Sequence, residues 1–466
     1  MTFVFHEASW VYACIVLVVA LLPCEKVFHV FIYCIPATTI ALFDVNNNSV
    51  LFYHIIFLIL VMKYFFQALP SIRFKTRQTS KTNVSPMLWV FVIYCALTIP
   101  LAGLHTDTIV LNIENEYAFV KPAFQQVTQY LYLLIGFIAC IVTNGMLQRH
   151  KSSSKTILRI IDYSYLAVML LALLQKVIPA DTISILYRNS VNTSYAFDGA
   201  RISSTFQEPS MLSLFMTPMF CVYLWRVLKE FSMKNVLYLG LGTIVISLNQ
   251  SSSFFVGLFA SIFAFILIKI STSAHISTTN LTLRQALKVL IATTLCVIFA
   301  FAFWGQISAV IQVFLSKLQG EGVSGSVRAY AALHHFHVFL EHPLFGVGYG
   351  TVRSYDLLTT WLAQIGLLGF LLYAIPVVAL CVRLLKVNTD TAKVYFIIIV
   401  AYNAILMVST SEIAYFLIWV VYGASYHEIT NAENVHAEQI SHDKIYYSPR
   451  HYVPCEIVPM GGEDNA

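Results

Sequence analysis

The sequence predicts an all-α polytopic integral membrane protein with about 12–14 transmembrane helices. Of its 466 residues, 58% are apolar and only 11% are charged, a balance that soluble domains do not have. The apolar residues are collected into runs of roughly 18 or more, the length that crosses a bilayer core as a helix. Basic residues gather in alternate connectors, which is typical of a chain that weaves back and forth through a membrane.

Thirteen apolar segments are the candidate spans, and we interpret residues 1–425 as a single membrane domain. The first segment lacks a basic leader and a small-residue cleavage site, so we expect it to be a retained span and not a signal peptide. The predicted spans are 8–22, 27–43, 50–69, 86–104, 124–144, 159–178, 209–228, 235–249, 254–270, 287–306, 361–385, 394–410 and 412–425.

The distribution of basic residues predicts the orientation of these spans. The positive-inside rule places in the cytoplasm the connectors that contain Arg73–Lys81, Arg149–Arg159, Arg226–Lys234, Lys269–Lys288 and Arg383–Lys393. The connectors between them face outward, and the two large outer loops of interest are 179–208 and 307–360. With thirteen spans the N-terminus lies outside. The polar tail 426–466 then lies in the cytoplasm, where we expect it to be poorly ordered.

Four arginines are exceptions to the positive-inside rule, because they lie in the predicted outer loops. Arg188 and Arg201 belong to the first loop, and Arg328 and Arg353 belong to the second. Long loops tolerate some exported charge, so simple tolerance is one explanation. The other is phosphate binding at the outer membrane surface, because a planar guanidinium grips phosphate in a bidentate manner that lysine matches less well.

The first outer loop ends in Arg201-Ile-Ser-Ser-Thr-Phe-Gln-Glu208-Pro209-Ser210, and Glu208-Pro209 begins the next predicted span. Proline is tolerated in the first turn of a helix, and a carboxylate there complements the helix dipole. Glu208 is therefore either a helix-start acid that pairs with Arg201 or a group that orients or deprotonates a hydroxyl. A later outer turn, Asn249–Ser253, offers hydroxyls that either cap the following helix or serve a polar ligand.

The second outer loop contains a predicted amphipathic helix at 327–341, which ends before Pro343. We expect this helix to lie on the outer membrane surface, with its apolar face on lipid or spans and its Arg328 side toward the reaction site. The apolar face consists of Ala329, Ala332, Leu333, Phe336, Phe339 and Leu340, and the other face repeats every seven residues as Arg328, His335 and His342.

Histidines on this helix raise the question of a metal site. His334, His337 and Glu341 have a spacing that could converge on one helix face. No His-Glu-x-x-His pattern accompanies them, and an interfacial helix gains from amphipathic histidines without a metal. We therefore expect no metal.

A glycine-rich turn follows the predicted helix, with Gly346, Gly348 and Gly350 alternating with Val347 and Tyr349. It is not a nucleotide-binding fingerprint, because it follows a helix instead of joining a strand to a helix. Glycines here either let backbone N–H groups approach an anion or simply make a tight turn.

Together these segments resemble the bacterial O-antigen and exopolysaccharide polymerases of the Wzy type, which are related to the O-antigen ligases. The stretch from Arg201 to Ser210 is similar to that family's Arg…Phe-x-Glu-Pro-Ser element. Arg328…His342-Pro-Leu-Phe-Gly-Val-Gly-Tyr-Gly resembles its second outer-loop element, and Gln364-Ile-Gly-Leu-Leu-Gly resembles the start of the span that follows. By motif the resemblance covers 201–369, and elsewhere it rests on the span pattern.

The resemblance implies a metal-independent glycosyltransferase of GT-C-like architecture, without a cofactor, at the periplasmic face of the bacterial inner membrane. It would polymerise lipid-linked repeat units for O-antigen or exopolysaccharide biosynthesis. The donor would be a growing glycan on polyprenyl pyrophosphate, and the acceptor a repeat unit on the same lipid. The implied partners are this lipid-linked oligosaccharide, the bilayer, a flippase and a chain-length regulator, and no nucleic acid.

The resemblance also assigns roles within the two outer loops. Arg201 and Arg328 would stabilise the pyrophosphate leaving group, with Arg353 and Arg188 in support. The hydroxyl of the acceptor would be oriented or deprotonated by Glu208, His335 or His342. The remaining substrate-binding candidates are Gly346, Gly348, Tyr355 and Asp356.

Two alternatives to a polymerase are an O-antigen ligase and a lipid-linked oligosaccharide flippase or other transporter. The ligases carry a His-Asn pair where this chain has Tyr355 and Asp356, and this departure favours the polymerase. The predicted spans carry no ladder of buried charges, and the chain shows no two-half repeat, so transport is less well supported. A structural membrane partner without chemistry is a third alternative.

Overall fold

The computed structural model describes residues 3–45, 48–73, 84–112, 116–190, 201–273, 323–411 and 413–446. The helices are α1 (Ser9–Leu21), α2 (Cys24–Cys34), α3 (Phe52–Arg73), α4 (Pro86–Thr98), α5 (Phe124–Arg149), α6 (Ser154–Val177), α7 (Ala180–Leu186), α8 (Pro209–Lys229), α9 (Met233–Asn249), α10 (Ser253–Ser273), α11 (Val323–Glu341), α12 (Leu357–Val387), α13 (Asp390–Ser409) and α14 (Phe416–Tyr446). A short 3-10 helix, Ile99–Gly103, continues α4.

Among the described residues, two small antiparallel sheets accompany the helices of this predominantly helical fold. The first has the strand order β1 (Phe3–Val4), β2 (Ala41–Val45) and β3 (Asn48–Leu51), and the second pairs β4 (Ile109–Leu111) with β5 (Tyr117–Phe119). In the second sheet Ile109 lies opposite Phe119. Both sheets lie outside the long helices.

Within the described residues, seven helices are long and apolar enough to cross a membrane. Each coincides with a predicted span, which confirms a helical multi-pass membrane protein. α1 and the Phe52–Gln67 part of α3 are apolar but shorter, and the predicted span 287–306 lies outside the described residues. The seven helices are Pro86–Gly103, Phe124–Arg149, Ser154–Val177, Pro209–Lys229, Ser253–Thr272, Leu357–Val387 and Asp390–Ser409.

The predicted span 27–43 is wrong. α2 ends at Cys34 after 11 residues, and at a rise of about 1.5 Å per residue it extends only about 17 Å, roughly half of a hydrocarbon core. Pro36 cannot continue the helical hydrogen bonds, and the Thr38 hydroxyl then donates to the carbonyl of Thr205. The apolar run therefore folds across the end of the bundle as β2.

The last helix continues past the predicted boundary of the polar tail. α14 runs from Phe416 to Tyr446, and Tyr426 and Ile429 are buried within the bundle. The expectation of a poorly ordered tail from residue 426 onward is thus wrong for its first turns. Residues 447–466 lie outside the described part of the chain.

The core is centred on α13 and α14. Every residue from Val394 to Ile399 is buried, and so is every residue from Phe416 to Tyr422. A helix that is apolar around its whole circumference belongs in the interior of a large bundle. α14 packs on α5, and α13 packs on α8, α10 and α12.

The two ends of the bundle differ in charge. We define the basic end as the helix termini that carry Arg149, Lys155, Arg226, Lys229 and Arg383. Ion pairs there join Arg226 to Asp162, Lys229 to Asp390, and Arg383 to Glu433. We define the loop end by the described residues of 38–51, 105–123, 187–208, 342–360 and 410–415. The loop end holds most of the predicted site residues.

Candidate functional site

The glycine turn after α11 is docked onto a break in α12. At Gly366 the backbone leaves helical geometry, with φ 65° and ψ −174°. Backbone groups freed by such a break must find partners, especially within a membrane. The turn supplies them through Val347 N–H to Ala363 O (2.9 Å), Gly348 N–H to Gln364 O (2.8 Å), Leu367 N–H to Pro343 O (2.8 Å) and Leu368 N–H to Leu344 O (3.3 Å).

The glycines of this turn are required by its conformation. Gly346, Gly348 and Gly350 have φ values of 68°, 111° and 79°. A Cβ on Gly346 would lie 2.4 Å from the carbonyl carbon of Gln364, so the turn approaches α12 too closely for a side chain. The N–H groups of Gly346 and Gly348 donate to carbonyls of the protein. Of the two predicted roles, the geometry supports the tight turn and not the anion cradle.

Arg201 is half-buried at the loop end and is held there by Asn249. Its Nε donates to the Asn249 carbonyl at 3.1 Å. The Asn249 side-chain amide donates to the carbonyls of Ile202 (2.8 Å) and Pro209 (2.9 Å). One asparagine thus fastens both ends of the 201–209 segment. For the turn Asn249–Ser253, the sequence predicted roles for the hydroxyl groups only and missed this role of the Asn249 amide.

Arg201 and Arg328 come from different loops but are close enough in the fold for their charges to interact. Burial lowers the pKa of Arg201, the charge of Arg328 lowers it further, and the charge of Glu208 raises it. The guanidinium carbon of Arg328 lies 5.0 Å from the centre of the Tyr355 ring, a cation–π distance. Like charges repel strongly in partly desolvated surroundings. An anion bound beside both arginines would offset that repulsion.

Glu208 is exposed at the start of α8, beside Arg201. Pro209 is the first residue of that helix, as the sequence predicts, and Glu208 occupies the preceding cap position. Its carboxylate accepts a hydrogen bond from the Ser210 hydroxyl at 3.1 Å. This position fits a helix-start acid, because the carboxylate lies at a helix N-terminus. It also fits a group that orients or deprotonates a hydroxyl, because the carboxylate is exposed and interacts electrostatically with Arg201.

Arg188 is buried beneath the 201–209 segment. Its Nη1 donates to Ser203 Oγ (2.6 Å) and to the carbonyls of Ser204 (2.7 Å) and Phe206 (2.9 Å). These contacts hold the 203–206 backbone in place between Arg201 and Glu208. They favour a structural role for Arg188 over the predicted phosphate contact.

His335 is fully buried against β4 instead of facing a reaction site. Its Nε2 accepts a hydrogen bond from the Leu111 N–H at 3.2 Å, so the proton of the neutral ring is on Nδ1. Burial lowers the pKa of His335 to about 3, and the neighbouring His334 contributes to the same shift. An enclosed neutral imidazole whose basic nitrogen is occupied is poorly suited to remove a proton from a substrate.

α11 turns its predicted apolar face away from the protein. Leu333 is 62% exposed, and Phe336 and Leu340 are also exposed. A contiguous apolar surface of this kind fits contact with lipid, as expected for an interfacial helix. The expectation that the opposite face points as a whole into the site is wrong for His335, which is fully buried. Val338, one helical turn further along α11, joins a buried apolar cluster with Ala102, Val110, Val120, Val347, Val352 and Ala363.

The remaining histidines of this region make separate contacts. The His342 ring lies 4.1 Å from the His105 ring between centroids, and its Nε2 is 3.1 Å from Thr108 Oγ1. His334 Nε2 donates to the Ile109 carbonyl at 2.8 Å, whereas His337 and Glu341 are exposed. In the part of the chain that the structure describes, no three His, Cys, Asp or Glu side chains are grouped to hold a metal.

Asp356 acts as the N-cap of α12. It accepts a hydrogen bond from the Thr359 N–H at 2.7 Å and others from the hydroxyls of Thr359 and Ser354. Burial raises the pKa of Asp356, and these hydrogen bonds oppose the rise. The geometry therefore explains Asp356 as a helix cap, while the adjacent Tyr355 lies under Arg328.

A cavity of about 280 Å³ opens at the loop end. Arg353 lines it, as does Gln207, the neighbour of Glu208. Amide, imidazole and aromatic side chains supply the hydrogen-bonding and stacking groups that a hydroxyl-rich ligand requires. Sequence reasoning missed several of them because they come from α3, α5, α12 and the connector before α14, without a shared local pattern: His54, Gln129, Tyr132, Gln364 and Tyr415.

Comparisons with known proteins do not assign this chain. No protein-family model matches it, and no curated protein matches it.

Proposed function

We propose that this protein is a polymerase of lipid-linked oligosaccharide repeat units. It would transfer a growing glycan from polyprenyl pyrophosphate to a repeat unit carried by the same lipid. The observation that carries the proposal is the placement of two arginines around the loop end: Arg201 is half-buried in it, and Arg328 of α11 lies over the ring of Tyr355, which belongs to it. The charge of Arg328 contributes to the lowered pKa of Arg201. Two arginines from distant loops would supply paired guanidinium donors that suit the oxygens of a pyrophosphate.

The chemistry needs little more than charge stabilisation, positioning and a proton acceptor. The bond between the anomeric carbon of the donor and the pyrophosphate oxygen breaks, and its electron pair leaves with the pyrophosphate. A bond forms between the anomeric carbon and the acceptor hydroxyl, whose proton passes to a base. Arg201 and Arg328 would stabilise the leaving charge in partly desolvated surroundings, where such contacts are strongest.

Among the three candidate bases, Glu208 fits this step best. Its carboxylate is exposed, and its charge raises the pKa of Arg201, so it would stand beside a pyrophosphate bound by that arginine. His335 is enclosed, and His342 contacts His105 and Thr108. We therefore place the proton transfer at Glu208, with Ser210 hydrogen-bonded to it.

The cavity at the loop end supports the placement of the acceptor sugar. Gln207 lines it one residue before Glu208, and Arg353 lines it from the other outer loop. Its amide and aromatic groups suit sugar hydroxyls and ring faces. The exposed apolar face of α11 offers a surface along which a lipid tail would lie.

The decisive experiment deletes the gene and compares surface glycan on a gel. A polymerase mutant loses the ladder but retains one repeat unit, because later attachment continues. Loss of every attached unit would instead indicate a ligase or a flippase, and an unchanged ladder would refute all three. Complementation with Glu208→Gln and with wild type, at equal protein level, then tests the assigned base.

A reconstituted reaction tests the metal-independent chemistry. Purified protein in lipid vesicles, given a lipid-linked repeat unit, should form longer products in the presence of EDTA. Turnover that EDTA abolishes and a divalent cation restores would contradict charge stabilisation by arginine alone.

A further inference from the structure

A second cavity, of about 400 Å³, lies at the basic end between α6, α8, α9 and α13. Cations outnumber carboxylates five to three along its lining, so its net charge is positive. Its apolar wall is formed by Leu158, Trp225 and Val394. The charged lining consists of Lys155, Arg159, Arg226, Lys229 and Lys234, with Asp162, Glu230 and Asp390.

Ion pairs account for only two of these cations. Arg226 Nη1 lies 3.1 Å from both oxygens of Asp162, and Lys229 pairs with Asp390 at 2.5 Å. None of the ion pairs in the described part of the chain includes Lys155, Arg159 or Lys234. Lys234 lies over the Tyr238 ring at 5.5 Å, a contact that leaves its charge in place. Three exposed cations thus remain at one cavity, against one carboxylate, Glu230, that also belongs to none of these ion pairs.

Two of the three stand where a cation is locally unfavourable. Lys155 is the second residue of α6, and Lys234 is the second residue of α9. The N-terminus of a helix carries partial positive charge, which repels a cation in the first turn. Neither position therefore stabilises its own helix, and a bound anion would offset this repulsion.

Apolar side chains continue from the cavity along the lipid-facing surface. Tyr163 follows Arg159 by one helical turn on the same face of α6, and Leu237 follows Lys234 in the same way on α9. Both side chains are exposed, as is Phe231 in the connector between α8 and α9. Cations at the rim with apolar residues directly beyond them match an anionic headgroup with its acyl chains.

We propose that this cavity binds an anionic phospholipid, with Lys155, Arg159 and Lys234 around the headgroup phosphate and the acyl chains along Tyr163 and Leu237. The proposal does not depend on the glycosyltransferase activity, because the cavity is at the opposite end of the bundle. A soluble phosphate would offer the same anion but would leave the apolar rim unused. The lipid therefore accounts for both parts of the surface.

Native mass spectrometry of the full chain in detergent tests the proposal, with phosphatidylglycerol as the probe and phosphatidylcholine as its neutral counterpart. Each basic side chain near an anionic lipid contributes about fivefold in affinity. The triple variant Lys155→Gln, Arg159→Gln, Lys234→Gln should therefore bind phosphatidylglycerol about 100-fold more weakly. The matched control replaces Lys26, Lys269 and Lys386 with glutamine, which removes the same charge from exposed positions outside the cavity, and should bind like wild type.

Three results would overturn the proposal. Equal phosphatidylglycerol binding by the triple variant and the control would show that the cavity lining is not the site. Equal binding of phosphatidylglycerol and phosphatidylcholine by wild type would remove the role of charge. Displacement of the lipid by millimolar inorganic phosphate would assign the cavity to a soluble anion. The single variant Lys234→Gln, with an expected loss of about fivefold, serves where the triple variant fails to fold.

Discussion

Replacing Gly366 with alanine should destabilise the whole protein, because this residue forms the break at which α12 receives the glycine turn. Its φ of 65° with ψ of −174° lies in a region of backbone space that only glycine occupies readily. An added Cβ would stand 2.3 Å from the carbonyl carbon and oxygen of Leu344, which belong to the backbone and cannot rotate away. Either the turn or the helix must move.

The expected loss of stability follows from these contacts. Forcing alanine into this conformation costs about 1–3 kcal/mol. Displacing the turn weakens the backbone hydrogen bonds that join it to α12, and losing two of them costs about 2 kcal/mol in all. We therefore expect Gly366→Ala to reduce the free energy of unfolding by about 3–5 kcal/mol, a large share of a typical total of about 5–15 kcal/mol.

Denaturant unfolding of the purified protein in detergent, followed by tryptophan fluorescence, measures this change. Gly240→Ala is the matched control, because a Cβ at Gly240 meets nothing within 4 Å in the interior of α9. Alanine is the better helix former, so the control should match wild type or gain about 0.5–1 kcal/mol. If Gly366→Ala unfolded at the same denaturant concentration as the control, the break in α12 would not need glycine and the docking argument would fail.

Three further substitutions test the residues that the sequence predicts for the site. Arg328→Lys should shorten the surface glycan almost as much as Arg328→Ala, because phosphate recognition uses the planar fork and not charge alone; normal glycan length in the lysine variant at equal protein level would remove this role. His335→Gln should flatten the pH dependence of stability. The pKa of His335 is lowered to about 3 in the folded protein, and its value in the unfolded chain is about 6.5. The neutral ring therefore contributes fully to the free energy of unfolding above pH 6.5, and this free energy falls as the pH decreases, by about 2 kcal/mol at pH 5. The free energies of unfolding of wild type and His335→Gln at pH 7 and pH 5 measure this difference. If the two changed equally with pH, His335 would not be a buried neutral imidazole in the folded protein. Arg188→Ala should lower the yield of folded protein but leave glycan length per folded molecule unchanged; shortened glycan at equal folded protein would place Arg188 among the substrate contacts.

The sequence alone was sufficient for features that depend on local pattern. Long apolar runs predicted the membrane helices, because burying backbone polar groups in lipid requires a continuous helix of sufficient length. Glu208-Pro209 predicted the start of α8, and Pro343 predicted the end of α11 at Glu341, since proline permits the first and forbids the second.

Local pattern failed where an apolar run has more than one way to be buried. The run 27–43 is as hydrophobic as a span, yet α2 ends at Cys34 and the rest turns into β2. Hydrophobicity reports that a segment avoids water, and it does not distinguish a lipid-facing helix from a strand covered by loops.

Only the tertiary structure decided which polar residues share a site. Periodicity placed Arg328 and His335 on one helix face, but the neighbours of that face differ along its length. Tyr355 lies beside Arg328, whereas His335 is buried and accepts a hydrogen bond from the Leu111 N–H. Likewise, the proximity of Arg201 and Arg328 depends on how two distant loops pack, which the spacing between motifs does not contain. A sequence specifies which side chains lie on the same face of a helix, whereas the pKa and the chemical role of each depend on what covers that face after folding.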